Sequence, residues 1–337
     1  MGIALVIGTT EYWIISVGIF TLLLLYRQKN LQALRVNRLI LSLVVFFTVI
    51  SLYSPSPVKG IYYAASIYIC AVIINSNPSR KHIITTIFLV SITQIAWGII
   101  QYTQGMARIS GVTQNASAMG IMSLSYLPHP LAVIVTGLSL SRTALAGIAC
   151  FAVLRNTKVV WGLFTLAILI HLSVNLILNP AYLTPSGLLN ASDRRPGVFT
   201  SLELRKDLIN GSTAETVPDV EIQKRQLSLF GYGHHGYALS TGLFQPHNIY
   251  VLSVWESGAL AIIFWILVVA LWWRVRNPYM LILLPLGLLV DEWWTDVEGV
   301  YAVTLMHLMT RRMSYVRFDR LLRFDRIGVM AWGHKSV

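Results

Sequence analysis

Apolar positions along the chain gather into runs that approach the roughly 20 residues a helix needs to cross a bilayer, with polar or basic connectors between them. The pattern predicts spans near 3–26, 39–53, 61–76, 83–101, 116–127, 131–141, 142–154, 159–178, 248–272, 279–290 and 299–310. Backbone hydrogen bonds in lipid must be satisfied internally, so these spans are helices. The expected fold is an all-α polytopic membrane protein of about eleven transmembrane helices. It forms one integral membrane domain, with a large polar loop over 179–246 and a basic amphipathic tail over 311–337.

Composition agrees with the pattern. The 337 residues are 55% hydrophobic and only 12% charged, about half the charge of a soluble domain. The first run begins at once, without a basic leader, and reads as a span rather than a cleaved signal. The net charge of +12 would suggest nucleic acid in a soluble chain. Here it reads as a topology signal, because 17 of the 26 Lys and Arg fall on one side of the predicted spans. That side is expected to be cytoplasmic, and the 179–246 loop is expected to face the periplasm or exterior. The two cysteines, Cys70 and Cys150, lie in apolar runs and form neither a disulfide framework nor a CxxC metal motif.

Residues 116–154 are the ambiguous stretch. Thirty-nine helical residues reach about 58 Å, which suits two full crossings better than three. Pro128-His129-Pro130 marks a turn inside it. Merging 116–141 into one crossing would send Arg274, Arg276 and the basic tail to the other side, so charge favours a short helical hairpin here.

Candidate chemistry concentrates at the end of the long loop. His247, in Gln245-Pro246-His247-Asn248-Ile249-Tyr250, stands where polar sequence meets an apolar helix. A helix N-terminus disfavours imidazolium and attracts phosphate, so a neutral general base beside a lipid phosphate is one reading. An interfacial histidine with Asn248 as helix cap is the other. Arg142 interrupts an apolar run from Leu131 to Leu154. An intramembrane arginine usually faces a polar cavity, and guanidinium holds phosphate oxygens bidentately; a snorkelling helix-end arginine is the plainer alternative.

Arg194 and Arg195 could hold a second phosphate, or be solvated loop charges. Gly231-Tyr232-Gly233-His234-His235-Gly236 could line a pocket with backbone amides, or be an ordinary turn. His234, His235 and His247 could in principle share a metal, but their spacing matches no zinc motif. Arg108 and Asn115 flank a polar loop before a span. Glu256 sits within the 248–272 run as a buried hydrogen-bonding or ion-pairing group.

Taken in order, these segments resemble the O-antigen ligase and O-antigen polymerase superfamily of membrane glycosyltransferases. The resemblance rests on Gln101 with Arg108, Gly111 and Asn115, on Ser141-Arg142, on an arginine in the large loop, on Gly231-Tyr232-Gly233, and on His247-Asn248-Ile249-Tyr250 followed by Glu256 and Gly258. It covers about residues 95–310. It implies a helical enzyme of the bacterial inner membrane that moves a glycan from a polyprenyl-pyrophosphate donor to a glycan, lipid-core or protein acceptor. In that role His247 would activate the acceptor hydroxyl, and Arg142 with Arg194 or Arg195 would hold the pyrophosphate. Tyr232, Gly233, His234, His235, Asn248, Tyr250 and Glu256, with Arg108 and Asn115, would line the substrate site. No metal or other cofactor would be needed.

Overall fold

A computed structural model describes residues 34–104, 109–111, 113, 116–127, 129–178, 229–237, 248–275, 280–288 and 297–313. The expected 3–26 span, most of the 179–246 loop and the tail beyond Met313 lie outside them. Among the described residues the only regular structure is helical. In chain order the helices are α1 (Arg38–Ser51), α2 (Pro57–Asn75), α3 (Arg80–Thr103), α4 (Ala116–Leu124), α5 (Pro130–Ser139), α6 (Arg142–Arg155), α7 (Lys158–Leu178), α8 (Ile249–Ser257), α9 (Ala261–Val275), α10 (Met280–Leu286) and α11 (Val297–Met313). By length and hydropathy, Pro57–Asn75, Arg80–Thr103, Lys158–Ile177 and the run Ile249–Arg274 are each sufficient to cross a membrane.

Local chemistry sets the helix ends. Asn37, Ser79 and Ser141 cap α1, α3 and α6 by accepting from backbone N–H groups with their side chains. Pro57 and Pro130 occupy first-turn positions, where proline's missing N–H is harmless. α1 and α2 form an antiparallel pair, and Asn75 donates from Nδ2 to the Arg35 carbonyl at its open end. Arg38, Arg80, Arg155 and Arg274 start or end helices at this same end of the bundle, called here the basic end. The other is the far end.

Two features depart from a simple stack of crossings. The first is the α4–α5 hairpin. Nine and ten residues rise only about 14–15 Å, half of a ~30 Å hydrocarbon core. Gly120 packs against Ser139, Ser141 and Ala144 at the far end. Leu124 descends to the middle of α6, where a Cβ on Gly147 would sit 2.3 Å from Leu124 Cδ1. Ser123 and Thr136 hydroxyls bond across the hairpin at 2.5 Å. The hairpin expected from charge is therefore present, with both arms of half depth.

The second corrects the expected single span over 248–272. In one straight helix Tyr250 and Trp265 would stand about 22 Å apart along the axis. Their rings instead stack with centroids 4.8 Å apart, and Trp265 Nε1 donates to Ser253 Oγ at 3.0 Å. The chain reverses at Ser257–Ala261. Gly258 takes φ 58° and ψ −136°, a conformation open to glycine and strained for other residues. A short 3₁₀ turn, Gly258–Leu260, then leads into α9. The apolar run is thus two arms: α8 rises to the reversal and α9 returns toward Arg274.

Candidate functional site

Arg142 opens α6 directly after a left-handed residue, Leu140, and the capping Ser141. The side chain is half-buried, and Nη1 is enclosed with no hydrogen-bond partner among the described residues. Both circumstances are unfavourable for a cation. The helix N-terminus already carries partial positive charge, and a buried charged donor left unpaired costs more than the 1–3 kcal/mol typical of a neutral one. An anion would relieve both at once, because first-turn N–H groups and a guanidinium are the two usual phosphate donors.

Beside α4, Gln101 acts as a four-bond clamp. Its Oε1 accepts from Ser110 N and Gly111 N, both at 2.9 Å. Its Nε2 donates to Ser110 Oγ at 2.9 Å and to the Gly111 carbonyl at 3.0 Å. The clamp ties the Ile109–Gly111 segment to the last turn of α3, between the candidate residues Arg108 and Asn115. Those two side chains lie outside the described residues, as do Arg194, Arg195 and His247.

The glycine-rich segment 229–237 docks on the reversal. Tyr232 N donates to the Trp255 carbonyl at 3.0 Å, and Leu260 N to the Leu229 carbonyl at 3.3 Å. Tyr237 stacks on Trp255, and Phe230 on Tyr53 in the α1–α2 connection. A Cβ on Gly231 would lie 2.3 Å from the Trp255 carbonyl oxygen, and one on Gly233 2.4 Å from Ser54 N. Glycine is required at both for close backbone approach.

The segment carries His234 into a pocket of Phe47, Tyr63 and Glu256. His234 and Glu256 are both fully buried, with Nδ1 3.5 Å from Oε2. Glu256 Oε1 also accepts from Tyr237 N at 3.3 Å. Burial pushes the His234 imidazole down to about 3, so the ring is neutral at physiological pH. Its contact with Glu256 is then that of a neutral ring against a carboxyl group. His235 is also pushed down to about 3, by burial first, then by the His234 and Lys59 charges, with Glu256 opposing. This geometry makes His234 and Glu256 interior supports of the reversal.

At the other end of α8, Asn248 caps the helix, its Oδ1 accepting from Tyr250 N at 3.0 Å and Val251 N at 3.1 Å. The Asn248 cap expected from sequence is therefore present. α10 holds this end in place. Ile249 N donates to the Gly287 carbonyl at 2.9 Å, and Tyr250 Oη to the Leu284 carbonyl at 2.7 Å. Both carbonyls lie in or just past the last turn of α10, where backbone oxygens lack i+4 partners and suit outside donors. Because α8 folds back, its first residues lie beside Trp265, part-way down α9, below the far end of the bundle.

One chain of contacts joins the two candidate regions. Leu286 Cδ1 lies 3.2 Å from a Cβ position at Gly147, little more than one turn after Arg142, and the adjacent Gly287 bonds Ile249. The N-termini of α6 and α8 thus flank the same α10 segment. Sequence reading passed over α10 as a supporting element, although Pro285 within an apolar run was the available signal. It also passed over Phe47 and Tyr63, whose part depends on tertiary contact. Among the described residues no three His, Cys, Asp or Glu side chains are grouped as metal ligands. Comparison of the chain with protein-family models, curated proteins and solved structures finds no match.

Proposed function

We propose that this protein is a membrane glycosyltransferase that moves a glycan from a polyprenyl-pyrophosphate donor to an acceptor hydroxyl. In this reading the chain crosses the bacterial inner membrane many times, the half-depth α4–α5 hairpin entering without crossing, and its basic end is cytoplasmic. The site then works at the far end, facing the periplasm or exterior. The observation that carries the reading is Arg142: a half-buried guanidinium, unpaired at Nη1 among the described residues, set on a helix N-terminus. That arrangement calls for an anion, and a lipid-linked diphosphate is the anion a membrane offers to such a site.

The chemistry follows from the leaving group. The acceptor oxygen attacks the anomeric carbon, the bond from that carbon to the pyrophosphate oxygen breaks, and polyprenyl pyrophosphate departs. His247 takes the hydroxyl proton, and direct displacement inverts the anomeric centre. Arg142, with Arg194 or Arg195, offsets the negative charge that grows on the diphosphate. Bringing two large substrates together supplies a further share of the acceleration.

The half-depth helices favour a second reading, a transporter of lipid-linked glycans, since discontinuous helices commonly form transport sites. One assay separates the two. Purified protein in vesicles, supplied with a polyprenyl-pyrophosphate glycan and acceptor, forms a new glycosidic product if it is a transferase. Donor that changes leaflet without product identifies a transporter. His247→Ala is expected to abolish transfer while the protein still inserts and folds; undiminished transfer in that variant rejects His247 as the base.

A further inference from the structure

A groove of about 670 Å³ runs between α1, α2, α9 and α11 toward the basic end. The volume falls within the range of ligand pockets. Its walls are apolar along most of their length, from Tyr250 and Trp265 through Val268 and Ala71. At the basic end the lining changes to Arg274, His307, Asn37 and Asn75. The groove opens sideways, because Val269 and Leu284 on its edge are exposed.

The change of polarity falls at a recognisable depth. Trp272-Trp273-Arg274 ends α9, and tryptophans beside arginine mark the membrane–water boundary. From Trp265 to Arg274 the groove follows α9 for about 14 Å. That length is roughly half of a ~30 Å hydrocarbon core, or one leaflet. The slot therefore has the depth of a single acyl layer and a cationic mouth at headgroup level. α1 begins at Arg38, next to the lining residue Asn37, so a further basic position adjoins the mouth. Basic pockets between membrane helices at this level bind anionic lipid headgroups.

We propose that this groove is a binding site for an anionic phospholipid of the leaflet at the basic end. An acyl chain lies along α9, and the phosphate sits against Arg274. A polyprenyl tail entering from the far end would place only hydrocarbon at this mouth, whereas a phospholipid sets its phosphate against Arg274, so the charge favours a phospholipid. The site is separate from Arg142 and does not depend on glycan transfer.

Native mass spectrometry of the full chain, purified in mild detergent with added phosphatidylglycerol or phosphatidylcholine, tests the assignment. Phosphatidylglycerol is expected to be retained in preference. Arg274→Ala, a change at an exposed position, should lower its retention about fivefold, the weight of one cation near a lipid surface. Arg155→Ala removes a charge at the same end of the bundle but off the groove, and should leave retention unchanged. Val268→Trp, at a part-exposed wall position, fills the slot and should exclude the lipid while keeping a cooperative melting transition. Equal retention of both lipids, no retained lipid in the wild type, or equal loss in the Arg155 and Arg274 variants would each overturn the proposal.

Discussion

His234 Nδ1 lies 3.5 Å from Glu256 Oε2, and neither side chain has any exposed surface. This pair joins the glycine-rich segment to the last turn of α8, beside the point where the chain reverses. Removing either group from water is unfavourable unless the other is present. The reversal is therefore held by a polar contact inside an otherwise apolar layer of Phe47, Tyr63 and Phe264.

Burial of His234 makes stability depend on pH. Between about 3 and the ordinary histidine value of 6.5, the unfolded chain binds a proton at His234 that the folded chain does not. Stability is thus fully present above 6.5 and falls as pH drops through that window. His235, lowered by burial in the same way, adds to the effect. The melting temperature in detergent is expected to be lower at pH 5 than at pH 7. His234→Gln should flatten part of that slope. A melting temperature that rises on acidification contradicts the assignment.

The close approach of the glycine turn predicts a sharp steric response. Gly231→Ala and Gly258→Ala each place a Cβ where backbone contact or backbone conformation excludes one, a strain of about 1–3 kcal/mol. Both variants should melt well below the wild type. Gly162→Ala, where a Cβ would meet nothing within 4 Å, should show no such loss.

Arg142 is expected to separate function from stability. Arg142→Ala removes a cation held in an unfavourable place, so its melting temperature should equal or exceed that of the wild type. Glycan transfer should fall by about 10²–10³-fold, as for loss of one preorganised donor to a developing oxyanion. Arg142→Lys should not restore it fully, because ammonium lacks the planar fork. Paired melting and transfer measurements on the two variants decide the matter.

Gln101 is expected to behave in the opposite way. Gln101→Leu loses four hydrogen bonds and leaves the backbone groups of Ser110 and Gly111 without them, a loss of about 2–4 kcal/mol. Tryptic cleavage after Arg108 should accelerate in this variant. Unchanged cleavage and melting would mean that the clamp does not hold the segment.

Much of this architecture was legible in the run of residues. The α2, α3 and α7 helices follow from continuous apolar stretches bounded by capping residues and proline. The α4–α5 hairpin followed from Pro128-His129-Pro130 together with the sidedness of charge, since a full crossing there would misplace Arg274. Asn248 as a helix cap was readable from its place before an apolar run. The reversal at Gly258 was not. Glycine is tolerated within membrane helices, so one glycine in 25 apolar residues reads equally well as a crossing.

What the sequence determined by itself is the medium and the local units. Long apolar runs require lipid around the chain, and in lipid an unpaired backbone must coil into helices. Tertiary structure alone decided where those helices stop short and turn back. That choice depends on contacts between distant residues: Trp265 against Tyr250, His234 against Glu256, and the Gly287 carbonyl against Ile249. Hydrophobicity measures how well each residue suits lipid and carries no information about which neighbour it meets. The turn at Gly258, and with it the position of the α8 N-terminus, becomes defined only when those partners have come together.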